Sequence, residues 1–294
     1  MLEIKVIFQE RKRKIFLILS QVMVSILLLY SESYAIKPDR EYAKTPKDFN
    51  LNFESVTFIT ADNYKLFGWF MPSKQDSPKA TIIFSMIDGG NMSYIIEMTE
   101  YFIHNNLNVL LYDYRGFGKS QDFNIERNML IYPEFLIDLN AAIDFVKSRN
   151  DDKIILFGFS MGAAISIGVA GQRDDIAAVI ADGAYTTTDE VVNIINKNLE
   201  LEQSERRIIN PDNFPDRAQP IKAIESFSNT NFCILTGSND KTATPDMAYK
   251  LYSKCSNLKK TIFIASDTQH CRIHEKYGQV YFEFILSFIN HSID

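Results

Sequence analysis

Histidine is scarce in this chain. Only four occur in 294 residues, at 104, 270, 274 and 291, so any chemistry that needs an imidazole base must draw on one of them. Cysteine is scarcer still, with Cys233, Cys255 and Cys271. Neither residue type shows metal-ligand spacing, so no metal and no other cofactor is expected. Cys233 lies in the apolar run Phe232–Leu235 and reads as a small core residue. Cys255 and Cys271 are the pair that an oxidising compartment could join. No basic block follows residue 14 and the net charge is −6, which argues against a nucleic-acid partner. Internal repeats and low-complexity tracts are absent too, and with 46% hydrophobic residues the chain can bury a sizeable core.

The N-terminus reads as a targeting signal. Arg11-Lys12-Arg13-Lys14 precedes an apolar run from Ile15 to Tyr30, and the small-residue site Ser33-Tyr34-Ala35 follows. The run is short for a membrane span and is interrupted by Ser20, Gln21 and Ser25. A cleaved signal over residues 1–35, and hence a secreted or periplasmic protein, is the expectation. The alternative is an uncleaved anchor that keeps residues 15–30 in contact with a membrane. Residues 36–49 are polar and read as a lead-in, and one domain spans 50–294.

Within that domain, runs at Glu54–Ile59 and Lys65–Met71 flank the turn Ala61-Asp62-Asn63 and predict a β-hairpin. Strand-like runs then alternate with helical ones. Strands are predicted at Ala80–Met86, Asn108–Asp113, Ile154–Phe159, Ala177–Asp182, Phe232–Thr236 and Thr261–Ile264. Helices are predicted at Tyr94–His104, Pro133–Ser148, after Ser160, at Asp246–Lys254 and at Gln279–Asn290. This alternation predicts a mostly parallel sheet with helices on both faces. Residues 183–230, broken by Pro211, Pro215 and Pro220, predict a small helical cap. Its apolar positions Val191, Val192, Ile194, Ile195 and Leu199 suit either a face packed on the body or an acyl-chain wall.

The sharpest motif is Gly158-Phe159-Ser160-Met161-Gly162, set between a buried strand and a small-residue helix. A strand that reverses into a helix within so few residues holds its serine in a strained turn, which glycines two residues away on either side accommodate. The hydroxyl then stands at a helix N-terminus, where a developing oxyanion is stabilised. Serine is a poor nucleophile at neutral pH without a base and an orienting carboxylate. His270 follows the last strand at loop distance and is favoured over His274, which already approaches the final helix. Asp240, in the polar turn after Phe232–Thr236, supplies the acid in the chain order serine, acid, histidine, with Asp267 as the fallback. Backbone N–H groups of Met161 and of Asp88, in the loop after the third strand, are the expected oxyanion donors.

Gly-Phe-Ser-Met-Gly, Asp113-Tyr114-Arg115-Gly116-Phe117-Gly118-Lys119-Ser120, Gly237-x-x-Asp240-x-x-x-x-Pro245 and the late His270 together resemble the α/β-hydrolase superfamily. The most similar branch is the serine-aminopeptidase-like group, which also resembles depalmitoylases and monoacylglycerol lipases. The resemblance covers roughly residues 50–290 and implies an eight-stranded α/β-hydrolase fold. It also implies that Ser160 is the nucleophile, His270 the base and Asp240 the orienting acid, with the Asp113–Ser120 turn structural. One departure stands out. Where the group carries His-Gly at the start of the oxyanion loop, this chain has Met86-Ile87, followed by Asp88, whose carboxylate would oppose an oxyanion if it pointed inward.

The expected activity is a serine hydrolase acting on a small or lipid-like carboxylic ester or thioester, with an amide, and so a peptidase, as a further option. The competing reading is a hydrolase-fold binding protein whose altered oxyanion loop impairs catalysis.

Overall fold

Five strands buried at all or all but one of their positions account for the centre of the molecule. In the computed structural model, Ala80–Ser85 (β3), Leu107–Asp113 (β4) and Asn231–Gly237 (β7) are buried at every position. Lys153–Phe159 (β5) and Ile176–Asp182 (β6) are buried at all but one. Strands covered on both sides can afford no polar alternation, which is why these sequences read as continuous Val/Ile/Leu/Phe segments. The outer strands Glu54–Ile59 (β1), Lys65–Met71 (β2) and Lys260–Ala265 (β8) are only partly buried.

The structure describes residues 35–293 apart from 127, 150, 200–205 and 209–213. The signal or anchor expected within residues 1–35, including the apolar run 15–30, therefore lies outside the described residues, save for residue 35. Part of the expected cap insertion does too. No helix among the described residues is long and apolar enough to cross a membrane.

The eight strands form one sheet in the order β1-β2-β4-β3-β5-β6-β7-β8. β1 and β2 make the antiparallel hairpin that the turn residues predict, with Glu54 opposite Phe70 and Ile59 opposite Lys65. β2 is antiparallel to β4, and every other pairing is parallel. The strand order reverses around β3, which lies between β4 and β5. A crevice opens outside the carboxyl ends of strands at such a reversal, so the loops after β3 and β5 are where a site is expected.

Helices surround the sheet: Ile96–His104 (α1), Glu134–Arg149 (α2), Met161–Ala170 (α3), Thr188–Asn198 (α4), Pro245–Lys254 (α5), Ile273–Tyr277 (α6) and Gln279–Ile293 (α7). α3 is buried along its whole length. Asp216–Ala218 and the single turn Pro220–Ala223 pack against it, so this part of the expected cap belongs to the body. A Cβ on Gly168 would meet the carbonyl oxygen of Ala218 at 2.6 Å, which explains the small-residue run. α4 begins at the Thr187 cap, whose side chain accepts from the Glu190 N–H at 3.1 Å.

The segment that reads as a polar lead-in is structured. Ile36 is fully buried, and Lys37–Pro38 pairs in parallel with Gly89–Gly90. Burial of one apolar residue and two strand residues leaves no periodic signal, so the sequence pattern reads it as linker.

Candidate active site

Ser160 follows β5 and is the N-cap residue of α3, with φ 50° and ψ −113°. A non-glycine residue there is strained by about 1–3 kcal/mol and persists only where its surroundings fix it. Two fixations are visible. Its N–H donates to the carbonyl oxygen of Asp182 at 2.9 Å, and its own carbonyl accepts from Ala163 and Ala164. The flanking glycines make the turn possible through close approach. A Cβ on Gly158 would sit 2.2 Å from the Gly162 carbonyl oxygen, and one on Gly162 would sit 2.1 Å from that of Ser85.

The Ser160 hydroxyl lies 2.8 Å from Nε2 of His270, and Nδ1 of His270 lies 2.6 Å from Oδ2 of Asp240. Oδ1 of Asp240 accepts from the N–H groups of Thr242 and Ala243, at 2.8 and 2.9 Å. Its side chain is wholly buried, while that of His270 is one-quarter exposed. The structure thus brings Ser160, His270 and Asp240 into one hydrogen-bonded chain. Burial disfavours the imidazolium of His270, but the neighbouring Cys271 sulfur and the Asp240 carboxylate outweigh it and raise the pKa above the usual 6.5.

The fallback residues lie elsewhere. Asp267 accepts from Asn239 and pairs with Lys276, and His274 sits further along the cavity wall with its Nδ1 buried and unpartnered. Cys255 ends α5 and Cys271 follows His270; both are free thiols.

Ser160 and His270 open onto a cavity of about 600 Å³. Met86, Ile87 and Asp88 line it from the β3 loop, Val191 and Ile195 from α4, and Leu130 and Tyr185 from neighbouring segments. The apolar face of α4 therefore does two things: Val191 and Ile195 face the cavity, and the same cluster includes Ala243 and Met247. Met161 is the first residue of α3, so its N–H lacks an intrahelical partner. Asp88, on the loop after β3, lines the same cavity and is half-buried. Burial raises its carboxyl pKa, against the charges of His270, Arg207 and Lys37.

That loop is braced from two directions. Lys37 N–H donates to the Asp88 carbonyl at 2.8 Å and Asp39 N–H to that of Gly90 at 2.7 Å. Asn91, fully buried, donates through Nδ2 to the carbonyls of Asp39 and Glu41. From below, Oδ1 of Asp113 accepts from the Met92 N–H at 2.8 Å, while Oδ2 accepts from the Tyr42 hydroxyl. Burial lifts the Asp113 pKa to about 6 despite those bonds.

Two supporting positions escape the sequence reading. Gly183 has φ +70°, and a Cβ there would lie 2.9 Å from Cε1 of His270, so this glycine clears room for the ring. Asp182 is fully buried at the end of β6; Oδ2 accepts from the Tyr281 hydroxyl at 2.8 Å and Oδ1 has no partner. An aspartate closing an otherwise apolar strand run was the available signal.

Residues 76–208 match the sequence family described as serine aminopeptidase, S33, a stretch that holds Asp88, Ser160 and Met161 and stops short of Asp240 and His270. The chain is 30% identical over 246 residues to the uncharacterised protein YfhR of Escherichia coli (strain K12), covering 80% of each. It is 24% identical over 282 residues to the alpha/beta hydrolase domain-containing protein WAV2 of Arabidopsis thaliana, covering 90% of this chain and 89% of that one. The chain belongs to the α/β-hydrolase superfamily. Among solved structures of this superfamily's fold, the Pyrococcus furiosus esterase Pf2001 superposes with a TM-score of 0.75 at 20% identity, covering 88% of this chain and 98% of the esterase.

Proposed function

We propose that this protein is a serine hydrolase that cleaves a carboxylic ester or thioester, with amides a further option, through an acyl-enzyme on Ser160. The observation that carries the reading is the chain Asp240–His270–Ser160, with spacings of 2.6 and 2.8 Å, at the wall of an open cavity. Neutral His270 takes the Ser160 proton as Oγ attacks the carbonyl carbon. Asp240, held by two backbone N–H groups, keeps Nδ1 protonated and stabilises the imidazolium that forms. The tetrahedral oxyanion is received by the Met161 N–H at the start of α3 and by the Asp88 N–H. His270 then protonates the leaving oxygen or sulfur, the acyl-enzyme remains, and a water activated by His270 releases the acid.

The N-terminal sequence Arg11–Ala35 supports placement outside the cytoplasm, as a secreted, periplasmic or membrane-anchored enzyme. A short α4 wall and an open cavity suit small acyl groups or an extended lipid chain.

The competing reading, a binding protein with impaired catalysis, draws on the Asp88 carboxylate beside the expected oxyanion position. Rapid-mixing kinetics with a p-nitrophenyl ester separate the two. A burst of nitrophenol stoichiometric with protein, absent in Ser160→Ala, is expected of the hydrolase. No turnover of short- or long-chain esters and thioesters by folded protein would leave the binding protein standing.

A further inference from the structure

We propose that Cys271 is a positioning residue for His270: its thiol ties the histidine loop to the Asp182 carbonyl, the same oxygen that fixes the turn at Ser160. The inference deepens the hydrolase reading and rests on Ser160 and His270 being nucleophile and base.

Backbone strain singles out the pair. Among the described residues, six that are not glycine have positive φ: Asn50, Asn63, Asn106, Ser160, Asp267 and Cys271. Asn and Asp tolerate the left-handed region because their short polar side chains bond locally. Ser160, at 50°, and Cys271, at 52°, are the two of another type. Such residues persist only where the surrounding structure over-determines them, and they cluster at functional sites.

One atom holds both. The Asp182 carbonyl oxygen accepts the Ser160 N–H at 2.9 Å and the Cys271 S–H at 3.5 Å. A carbonyl oxygen has two lone pairs, so it serves both donors at once. Asp182 is fully buried and pairs with Phe159 of β5 in the sheet, which makes it a rigid anchor. The next residue sets the thiol beside the imidazole. A Cβ on Gly183 would lie 2.8 Å from Sγ of Cys271 and 2.9 Å from Cε1 of His270.

The rest of the loop shows what the thiol adds. Upstream of His270, the Asn239 N–H donates to the Thr268 carbonyl at 2.9 Å and ties the loop to the turn after β7. Downstream, the Arg272 N–H closes back on the Gln269 carbonyl at 3.3 Å, within the loop itself. The Cys271 thiol carries that downstream side to the end of β6. A base that drifts by about an ångström from its nucleophile costs on the order of a hundredfold in rate. A thiol is a weak donor, so the loss on removing it is smaller than that.

The test compares the full-length wild type with Cys271→Ala and Cys271→Ser on a p-nitrophenyl ester. Cys271→Ala is expected to lower kcat by about tenfold while KM stays within about twofold, because the tie acts on the reacting geometry and not on substrate binding. Cys271→Ser keeps a donor at that place and is expected to recover most of the loss. A cysteine that only fills space gives the other order, with alanine tolerated and serine no better. That order, or an unchanged kcat in Cys271→Ala, overturns the proposal.

Hydrogen exchange of the same three proteins does not depend on turnover. Amides of residues 266–278 are expected to exchange faster in Cys271→Ala, by about threefold or more, with Cys271→Ser close to wild type. Equal exchange in all three overturns the tie whether or not any ester is cleaved. If wild type cleaves no ester while exchange follows the expected order, the tie stands and the hydrolase reading is what fails.

Discussion

The backbone N–H of Ser160 donates to the carbonyl oxygen of Asp182 at 2.9 Å, tying the strained turn after β5 to the end of β6. The side chain of the same aspartate is a separate matter. Fully buried, with only the Tyr281 hydroxyl to satisfy it, the Asp182 carboxyl is pushed up to about 7 by desolvation. Between roughly pH 4, where a free carboxyl titrates, and about 7 the folded chain holds a proton that the unfolded chain releases. Its contribution therefore makes stability fall as pH rises through that window and level off above it. Asp182→Asn leaves the backbone bond in place and removes this titration. Urea unfolding at pH 5 and pH 8 is expected to show a smaller loss of stability for the variant, by on the order of 2–3 kcal/mol. Parallel pH dependence in the two proteins contradicts this.

The raised pKa of His270 sets the sign of a pH–rate profile. Only the neutral imidazole can accept the Ser160 proton, so kcat/KM for an ester is expected to rise with pH through a midpoint above 6.5. Asp240→Asn removes the carboxylate that holds the ring tautomer, and kcat is expected to drop on the order of 10³–10⁴-fold. A profile with its acid limb below the ordinary histidine range speaks against His270 as the base.

Arg115 is completely buried yet charged. Its guanidinium meets Asp62 Oδ2 at 2.6 Å and Asp138 Oδ1 at 2.7 Å and stacks on Tyr64, while its backbone N–H donates to Asp138 Oδ2. Removing Asp138 leaves the buried guanidinium with Asp62 alone and strips the acceptor from the Arg115 N–H, so Asp138→Ala is expected to cost about 3–5 kcal/mol in denaturant unfolding. A loss below about 1 kcal/mol, the value of a surface pair, contradicts the assignment.

Asn91 joins the lead-in to the loop after β3, which carries the proposed oxyanion donor Asp88, through the carbonyls of Asp39 and Glu41. Asn91→Ala is expected to lower kcat for ester cleavage by roughly tenfold or more, with little change in KM, because the loop donor acts on the transition state. A variant that changes KM alone contradicts a role for this clasp in positioning the loop.

The parts of this molecule that were legible in the sequence share a physical reason. The strands that build the sheet are long apolar runs, and the hairpin, the turn at Ser160 and the polar turn at Asp240 each have local residue patterns. Ser160, Asp240 and His270 come together in space because each sits just past a strand end on the same edge of a parallel sheet, which chain order alone foreshadows. Other features depend on tertiary contacts with no local signature. The lead-in clasp rests on backbone bonds from Lys37 and Asp39, which any sequence can make. Gly183 matters for what its missing side chain would strike, and Cys271 for the distant carbonyl that its thiol meets. The proline-rich segment suggested a cap, yet the stretch around Ala218 and Ala223 packs on Gly168 and Gly171 of the sequence after Ser160.

The central claim is that Ser160 is activated by His270, and covalent labelling of the full-length protein with a fluorophosphonate measures it most directly. Stoichiometric labelling of wild type at Ser160 is expected, with none in Ser160→Ala and a rate reduced on the order of a thousandfold in His270→Ala. Folded wild-type protein that stays unlabelled, or Ser160→Ala that labels as fast as wild type, would contradict it.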